Sequence, residues 1–256
     1  MINPMSLAGR AIIVTGAGQG IGFSVAKLIS DLGGTPILVD RDSEKVAEAA
    51  STIGRDLLTL TGDVTDPQFA QAAVAATTAR FGTISGLVNN AGITRTAMIE
   101  KMTFEQWSEV TSVHLTGSFL FLQAVGQHMV ERFRAGEGRP GAIVNLSSDA
   151  GVQGTMGQIN YGTAKAGILG MTMSAAREFA RYGIRVNSVA FGVVETQMTE
   201  TIRGEKLRET YLSRIPLGRW STADEAAKPI CFLLSDAASY ITGQRLSANG
   251  GHQMNA

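Results

Sequence analysis

The chain has 256 residues, 44% of them hydrophobic and 17% charged, and its formal net charge at pH 7 is zero. This composition is typical of a globular protein with its own core, and the balanced charge gives no reason to expect a nucleic acid or a membrane as partner. No apolar run approaches the roughly 20 residues of a membrane-spanning helix, and the single cysteine, Cys231, lies in an apolar run, so we expect a cytoplasmic protein with a buried, inert thiol.

Short apolar runs typical of buried strands alternate with longer segments that have helical spacing. Such alternation predicts a parallel sheet covered by helices on both faces. No linker or repeat divides residues 1–256, so we predict a single doubly wound α/β domain. The predicted strands are 11–15, 36–40, 56–60, 86–89, 142–146, 184–189 and, more weakly, 244–247. The clearest predicted helices are 21–32, 44–53, 69–81 and 161–181, and residues 134–141 are predicted as a surface turn.

A glycine-rich loop follows the first predicted strand and leads into a helix, with the spacing T-G-x-x-x-G-x-G at Gly16, Gly20 and Gly22. Glycines permit a tight turn and close approach of the backbone to a pyrophosphate, and the helix N-terminus offers free N–H groups. Alone, such a loop could be only a flexible turn. Its position between strand and helix predicts a dinucleotide site, with Gln19 and Ile21 as further contacts.

The second predicted strand ends at Asp40. A carboxylate there can accept hydrogen bonds from both hydroxyls of an adenosine ribose and would repel a 2′-phosphate. This favours NAD as cofactor; NADP is the less favoured alternative, because the neighbouring Arg41 could meet a phosphate. Asp42 and Ser43 are better placed than Asp40 to cap the following helix.

The third and fourth predicted strands end in further candidate cofactor contacts. Asp63 and Val64 are expected to border the adenine. The fourth strand runs into Asn89 and Asn90, whose amides could either contact the cofactor or serve a purely structural role. The predicted contacts at this strand end are Asn90, Ala91 and Gly92.

Ser148 follows the fifth predicted strand, and Tyr161 and Lys165 begin the next helix. The i, i+4 spacing places Tyr161 and Lys165 on one helix face. A free tyrosine has a pKa of about 10, and a nearby ammonium together with a positive nicotinamide ring would lower that pKa. Tyr161 could then exchange a proton with an alcohol or ketone while Ser148 holds the substrate oxygen and Lys165 reaches the nicotinamide ribose. Tyr161 and Lys165 are thus predicted both as catalytic residues and as cofactor contacts. The alternative is a surface pair, which the dinucleotide site disfavours.

These motifs together resemble those of the short-chain dehydrogenase/reductase family over nearly the whole chain. The matching segments are Thr15 to Gly22, Asn89 to Gly92, Ser148, and Tyr161-Gly-Thr-Ala-Lys165. The resemblance implies a Rossmann-like sheet of about seven parallel strands and a homotetramer. Within the family the chain is most similar to 3-oxoacyl-acyl-carrier-protein reductases, through segments such as 157–161, 215–219 and 249–251 that do not fix the substrate.

The chain departs from the family pattern at two positions. Where the family usually has an asparagine that bends a helix and holds a water near the lysine, this chain has His114, which could replace that role or tune the proton relay by titrating near neutral pH. Where the family usually has Pro-Gly after the sixth strand, this chain has Phe191-Gly192, and Phe191 could pack on nicotinamide or fill the core. Gly192, Val194 and Thr196 still fit the cofactor-side pattern.

A polar helical segment within residues 193–214 is expected to be a mobile lid over the active site, as in the family. Its cations Arg203, Lys206 and Arg208 could contact an acidic acyl carrier protein or simply form a solvated face. Met98, Val152, Gln153, Met156 and Ile159 are the expected pocket walls. His128 and His252 show no metal-ligand spacing, so we expect no metal site.

We therefore predict an NAD(H)-dependent oxidoreductase that interconverts a ketone and a secondary alcohol, with a 3-oxoacyl thioester as one substrate class. The alternatives are oxidation of a small or cyclic secondary alcohol, a dehydratase or epimerase with the same Tyr-x-x-x-Lys pair, and a cofactor-binding regulator without catalysis.

Overall fold

A computed structural model describes residues 3–54, 56–137 and 141–254. The strands are β1 (Ala11–Thr15), β2 (Thr35–Asp40), β3 (Thr59–Thr61), β4 (Gly86–Asn89), β5 (Ala142–Ser148), β6 (Arg185–Phe191) and β7 (Arg245–Ala248). They form one seven-stranded sheet in the order β3-β2-β1-β4-β5-β6-β7, with every pairing parallel. The predicted fold class, a doubly wound Rossmann-like domain, is confirmed.

Helices cover both faces of this sheet. The α-helices of the described residues, in chain order, are α1 (Gly20–Asp31), α2 (Ser43–Ile53), α3 (Pro67–Phe81), α4 (Phe104–Thr111), α5 (Ser118–Arg134), α6 (Ala150–Gln153), α7 (Ile159–Phe179), α8 (Glu200–Arg203), α9 (Glu205–Leu212) and α10 (Ala223–Leu234). Successive side chains of β1 point to opposite faces, as the period of two in a strand requires. Ile12 and Val14 belong to the apolar layer under α1, α2 and α10, and Ala11 and Ile13 to the layer under α3, α5 and α7.

Strand boundaries differ from the predicted ones where polar residues continue a buried strand. Seven residue pairs join β5 to β6, so that β5 extends to Ser148 and β6 to Phe191. Ser148 is thus the last residue of β5 rather than a residue beyond it. β3 begins only at Thr59 because it lies at the sheet edge and pairs with β2 alone. The predicted surface turn at 134–141 begins where α5 ends, and its residues 138–140 lie outside the described residues.

Cys231 is fully buried in α10, and burial raises the pKa of its thiol to about 12. Because the thiolate is the reactive form, the thiol is inert at neutral pH, as expected. Within the described ranges, no helix is both long and apolar enough to cross a membrane.

Candidate active site

A cleft opens at the carboxyl ends of the strands, beside the point between β1 and β4 where the strand order reverses, which is where doubly wound folds bind ligands. Nearly all of the predicted site residues line it. From the predicted cofactor set these are Gly16, Gln19, Gly20, Ile21, Asp40, Arg41, Asp63, Val64, Asn90, Ala91, Gly92, Gly192, Val194 and Thr196. The four predicted catalytic residues, His114, Ser148, Tyr161 and Lys165, line the same cleft.

Gly22 does not line the cleft, and it has a structural role beneath the glycine loop. A Cβ atom at Gly22 would lie 2.0 Å from the carbonyl oxygen of Gly16 and 2.6 Å from Nδ2 of Asn90. Gly16 and Gly20 have positive φ angles of 66° and 57°, a conformation that side chains disfavour. The loop therefore needs glycine at 16 and 20 for its turn and at 22 for its packing.

The two asparagines at the end of β4 make structural hydrogen bonds. Nδ2 of Asn90 donates to the carbonyl oxygens of Thr15 and Gly16, at 2.8 and 2.9 Å. Nδ2 of the buried Asn89 donates to the Ser118 carbonyl and to Oδ1 of Asn145. Asn89 thus joins strands to α5, whereas Asn90 holds the glycine loop and also borders the cleft.

The N-terminus of α1 has the chemistry of an anion site. Among the described residues no side chain caps it: Gln19 occupies the N-cap position without a capping hydrogen bond, and its Oε1 accepts from Nζ of Lys45 at 2.9 Å. The first turn of α1 contains no acidic residue. Its N–H groups and positive dipole end therefore fit a pyrophosphate.

Asp40 lies at the far end of the cleft from the catalytic side chains and is held by backbone donors. Its Oδ2 accepts from Gly18 N at 2.9 Å and its Oδ1 from Asp42 N at 3.2 Å. Each carboxylate oxygen retains a second acceptor site, which suits a pair of ribose hydroxyls. The N-cap of α2 is Asp42, as predicted, so that Asp40 is not used for capping.

Tyr161, Ser148 and Lys165 come together at the other end of the cleft. Ser148 lies at the end of β5 within hydrogen-bonding reach of Tyr161. Lys165 is only 5% exposed, and its Nζ donates to the Leu146 carbonyl at 2.7 Å and lies 5.6 Å from the centre of the Tyr161 ring. Two hydroxyl groups and one amine therefore border the same part of the cleft.

The pKa of Tyr161 moves in the direction opposite to the one expected from the sequence. Burial raises the pKa of Tyr161, and the hydrogen bond with Ser148 offsets this only in part. Lys165 does not reverse the balance, because its own burial lowers the pKa of its ammonium to about 7 and so removes much of its charge near neutral pH. In the protein alone, Tyr161 is therefore a protonated group suited to donating a proton.

Replacing Lys165 by methionine should change how stability depends on pH. The Lys165 pKa is about 7 in the folded chain against an ordinary 10.5, so between these values the unfolded chain binds more protons and the free energy of unfolding rises with pH. Between pH 7 and 9, we expect the free energy of unfolding of the wild type to rise by about 2 kcal/mol more than that of Lys165→Met. Urea unfolding at each pH measures this difference. Lys228→Met removes an exposed lysine of α10, and its free energy of unfolding should change with pH as that of the wild type does. The same pH dependence in all three proteins would contradict the burial argument.

The predicted lid, residues 193–214, has two parts. A short segment borders the cleft, and two helices follow it. Val194 pairs with Ser221 in an isolated bridge, a 3₁₀ turn follows at Gln197–Thr199, and α8 and α9 complete the segment. Arg203 donates to the Thr196 carbonyl at 3.0 Å and to Oγ1 of Thr199 at 3.2 Å, so this cation fixes the start of the lid. Arg208 is exposed, and the Lys206 side chain lies outside the described part of the chain.

The apolar walls of the cleft differ from those predicted. None of the expected wall residues borders the cleft in the described structure, and Met98, Met156 and Ile159 are exposed. Ile93, Val113 and Met198 contribute apolar surface instead. Sequence spacing could not separate these sets, because whether a side chain faces the cleft depends on how its segment packs against the rest of the fold.

Comparison with known proteins gives matches over nearly the whole chain. A family model described as enoyl-(acyl carrier protein) reductase matches residues 16–253. The 3-oxoacyl-acyl-carrier-protein reductase FabG of Thermotoga maritima is 43% identical over 252 residues, which are 96% of this chain and 99% of that protein. The protein of the same name from Vibrio cholerae is 39% identical over 250 residues, 98% of this chain and 100% of that protein.

A solved structure titled short-chain dehydrogenase/reductase, from Brucella melitensis, is 31% identical and superposes with a TM-score of 0.91, covering 98% of this chain and 99% of that one. The chain belongs to the short-chain dehydrogenase/reductase family. A short-chain type dehydrogenase/reductase from Mycobacterium marinum, 29% identical, gives a TM-score of 0.92 with 98% of both chains covered. The protein is therefore an oxidoreductase of this family.

His114, the first departure from the pattern of short-chain dehydrogenases/reductases, lies within a π-helical turn at Ser112–Gly117. It is 2% exposed, and burial together with the charge of Lys165 lowers its pKa to about 3. The expectation that it titrates near neutral pH is therefore wrong. Its Nε2 lies 2.8 Å from the carbonyl oxygen and 3.2 Å from the backbone N of Ile93, so that the Ile93 backbone holds the ring in either tautomer, and the ring meets the Tyr161 ring edge to face with centroids 5.2 Å apart.

His114 also explains the glycine at position 92, since a Cβ there would lie 2.2 Å from the imidazole Cε1.

The second departure from the family pattern, Phe191, is 4% exposed and packs in the apolar layer under α1 and α10 while bordering the cleft. It fills the core at the cleft floor. Gly192, Val194 and Thr196 follow it along the cleft, as predicted.

Sequence reasoning missed one polar cluster next to Ser148. The buried carboxylate of Asp149 accepts from Nδ2 of Asn249 and from Nδ1 of His252, both at 2.9 Å. These residues are 100 and 103 positions away from Asp149, and no local motif connects them. Across the described ranges, no group of His, Cys, Asp and Glu side chains could hold a metal ion.

Proposed function

We propose that this protein is an NAD(H)-dependent oxidoreductase that reduces a ketone to a secondary alcohol, with a 3-oxoacyl thioester as the best-supported substrate class. The observation that carries the proposal is the protonated Tyr161 beside Ser148 and the buried Lys165. A hydroxyl that keeps its proton at neutral pH is suited to act as the acid in carbonyl reduction.

In this proposal the α1 N-terminus binds the pyrophosphate and Asp40 binds the adenosine ribose. A bound reduced nicotinamide supplies the hydride. Ser148 donates a hydrogen bond that orients the substrate carbonyl, and the Tyr161 hydroxyl transfers its proton to the carbonyl oxygen as negative charge develops there. Lys165 lies beside Tyr161, and the fraction of its amine that is charged near neutral pH stabilises the phenolate that remains. His114, neutral and fixed to Ile93, holds the Tyr161 ring from its other side.

The substrate class is supported by the names of the relatives and by the donors in the cleft. The two FabG proteins are named as 3-oxoacyl reductases, whereas the description of the matching family model names an enoyl reductase. Two hydroxyl groups, those of Ser148 and Tyr161, suit delivery of a proton to an oxygen atom. Reduction of a ketone places the proton on oxygen, whereas reduction of a C=C bond places it on carbon, so these donors favour a C=O substrate.

The test is a spectrophotometric screen of 3-oxoacyl thioesters, enoyl thioesters, simple ketones and secondary alcohols with each nicotinamide cofactor. We expect NADH oxidation with 3-oxoacyl thioesters. Consumption of substrate without a change in nicotinamide absorbance would indicate a dehydratase or epimerase. Cofactor binding without turnover of any substrate would indicate a non-catalytic regulator, and activity confined to small alcohols would indicate the secondary-alcohol alternative.

The preference for NAD is proposed from Asp40. We expect Asp40→Asn to shift the NADH:NADPH ratio of kcat/KM about 100-fold toward NADPH, because the substitution removes a charge that repels a 2′-phosphate. Asp42→Asn is the matched control, since it removes a carboxylate two residues away and retains a good N-cap residue. An equal ratio in Asp40→Asn and the wild type would mean that Asp40 does not select the cofactor.

The partner and assembly predictions also remain proposals. An acyl carrier protein could approach the exposed Arg208, whereas Arg203 is engaged within the lid. The family resemblance predicts a homotetramer in the cytoplasm, which light scattering and cell fractionation would test.

A further inference from the structure

The carboxylate of Asp149 occupies a buried position directly after Ser148. The residue is 5% exposed, and both of its carboxylate oxygens are used: Oδ1 accepts from Asn249 and Oδ2 from His252. A carboxylate at 2.9 Å from Nδ1 requires the imidazole to carry its hydrogen on that nitrogen. His252 therefore donates to Asp149 whether its ring is neutral or charged.

These residues meet because of the order of the strands. Asp149 follows β5 and Asn249 follows β7, and β6 lies between them. The hydrogen bond from Asn249 to Asp149 passes the end of β6 at Gly192, where an added Cβ would lie 3.1 Å from Cβ of Asn249. Glycine at the end of β6 thus leaves room for a connection between the two neighbouring strand ends.

The residues that contact Asp149 belong to a tightly bonded segment, Asn249–Gln253, which we call the C-terminal turn. Asn249 donates from Nδ2 to the Gln253 carbonyl at 2.9 Å and accepts at Oδ1 from Gly251 N at 3.1 Å. The Gly250 carbonyl accepts from Leu217 N at 3.1 Å, so the turn is also joined to the segment that follows the lid. Because the C-terminal turn is itself held by several hydrogen bonds, it can fix the position of the Asp149 carboxylate.

Asp149 in turn fixes the backbone on both sides of itself. Its N–H donates to the Phe191 carbonyl at 2.9 Å, and its carbonyl accepts from Val152 N and Gln153 N, both at 2.9 Å. Ser148 lies directly before it, and Oγ of Ser148 accepts from Ala150 N at 3.2 Å. The orientation of the Ser148 hydroxyl therefore depends on the same few residues that Asp149 holds.

We propose that Asp149 and the C-terminal turn position Ser148 for the reaction, with His252 and Asn249 as the two donors that hold the Asp149 carboxylate. Asp149 and His252 are positioning residues: neither lines the cleft, and neither is assigned a proton transfer. This inference rests on the proposed function, because it assigns Ser148 the task of orienting a substrate oxygen. An error in the position of such a group is costly, since a displacement of about 1 Å can slow a reaction about 100-fold.

The test compares His252→Ala with His252→Asn in the whole enzyme. We expect His252→Ala to lower kcat about 10-fold with an unchanged KM for NADH, because the pyrophosphate and ribose sites are remote from the turn. In His252→Asn the side-chain amide can donate from a position equivalent to Nδ1, so most of the lost kcat should return. His128→Ala is the matched control, since His128 accepts a hydrogen bond from Ile84 N far from the cleft; it should lower Tm but not kcat.

Hydrogen exchange gives a readout that does not depend on activity. Amides of residues 146–153 should exchange faster in His252→Ala than in the wild type and in His252→Asn. Wild-type kcat in His252→Ala, or equal losses in the Ala and Asn variants, would overturn the proposal. Should His252→Ala not fold, Asp149→Asn replaces it: the amide offers one acceptor where the carboxylate offers two, and a wild-type kcat there would also overturn the proposal.

Failure of the positioning role can be distinguished from failure of the proposed function. If the wild type reduces no carbonyl compound, the proposed function fails, whatever the exchange data show. If the wild type is active and the His252 variants match it in kcat and exchange, only the positioning role fails.

Discussion

Tyr161→Phe is expected to lower kcat at least about 1,000-fold and to leave the affinity for NADH close to that of the wild type. The hydroxyl is the only group of Tyr161 that the substitution removes, and the ring contact with His114 at 5.2 Å is retained. The pyrophosphate and ribose sites lie at the other end of the cleft. Single-turnover kinetics and NADH fluorescence titration measure the two quantities separately.

Tyr182→Phe provides the matched control for this prediction. It removes a hydroxyl that accepts from Arg134 at the end of α5, remote from the cleft, and it should leave kcat unchanged. Turnover by Tyr161→Phe at the wild-type rate would show that the proton comes from another group. Loss of NADH binding would instead assign Tyr161 to the cofactor site.

Gly22→Ala should weaken NADH binding at least about 100-fold and destabilise the protein by about 1–3 kcal/mol. The added methyl group would lie 2.0 Å from the Gly16 carbonyl oxygen and 2.6 Å from Nδ2 of Asn90, both of which hold the glycine loop. Either the loop or the start of α1 must move, and the N–H groups at the α1 N-terminus then lose their common direction. Isothermal titration with NADH and thermal unfolding measure the two effects.

Gly170→Ala is the corresponding control, because a Cβ at this position of α7 has no heavy atom within 4 Å. Alanine is favoured over glycine within a helix by about 1 kcal/mol, so this variant should be at least as stable as the wild type and bind NADH equally well. Unchanged NADH binding in Gly22→Ala would mean that the glycine loop accommodates the added methyl group without losing affinity for NADH.

The fold could be predicted because its signals are local. Apolar runs and helical spacing are properties of neighbouring residues, and the strand-to-helix position of Gly16 and Gly20 follows from them. The strand ends were less certain, since β5 continues through Ser147 and Ser148, polar residues that an apolar run does not include. Their inclusion in the strand depends on the pairing of β5 with β6.

The ionisation of the site could not be predicted, because it depends on burial. From the sequence, Lys165 was expected to lower the pKa of Tyr161 and His114 was expected to titrate near neutral pH. In the structure, burial opposes charge on all three groups: it raises the pKa of Tyr161 and lowers the pKa values of Lys165 and His114. Spacing shows which groups meet, but the surrounding chain determines their charge.

The cluster at Asp149 could not be predicted from the sequence, because no local motif connects its members. His252 lies 103 residues from its partner Asp149. A pair of this kind is created by strand order, which places the ends of β5 and β7 on either side of β6.

The π-helical turn at Ser112–Gly117 sets the rotational register of the continuous helical rod formed by α4, the turn and α5. A π turn is equivalent to an α-helix with one extra residue, and each residue of an α-helix adds about 100° of rotation. Deleting one residue there would leave a continuous α-helix, yet every side chain before the deletion would face a different direction relative to α5. His114 would then leave the space that Gly92 provides, and α4 would present a different face to α7. One extra residue in an otherwise ordinary helix thus sets how α4 and α5 face Tyr161.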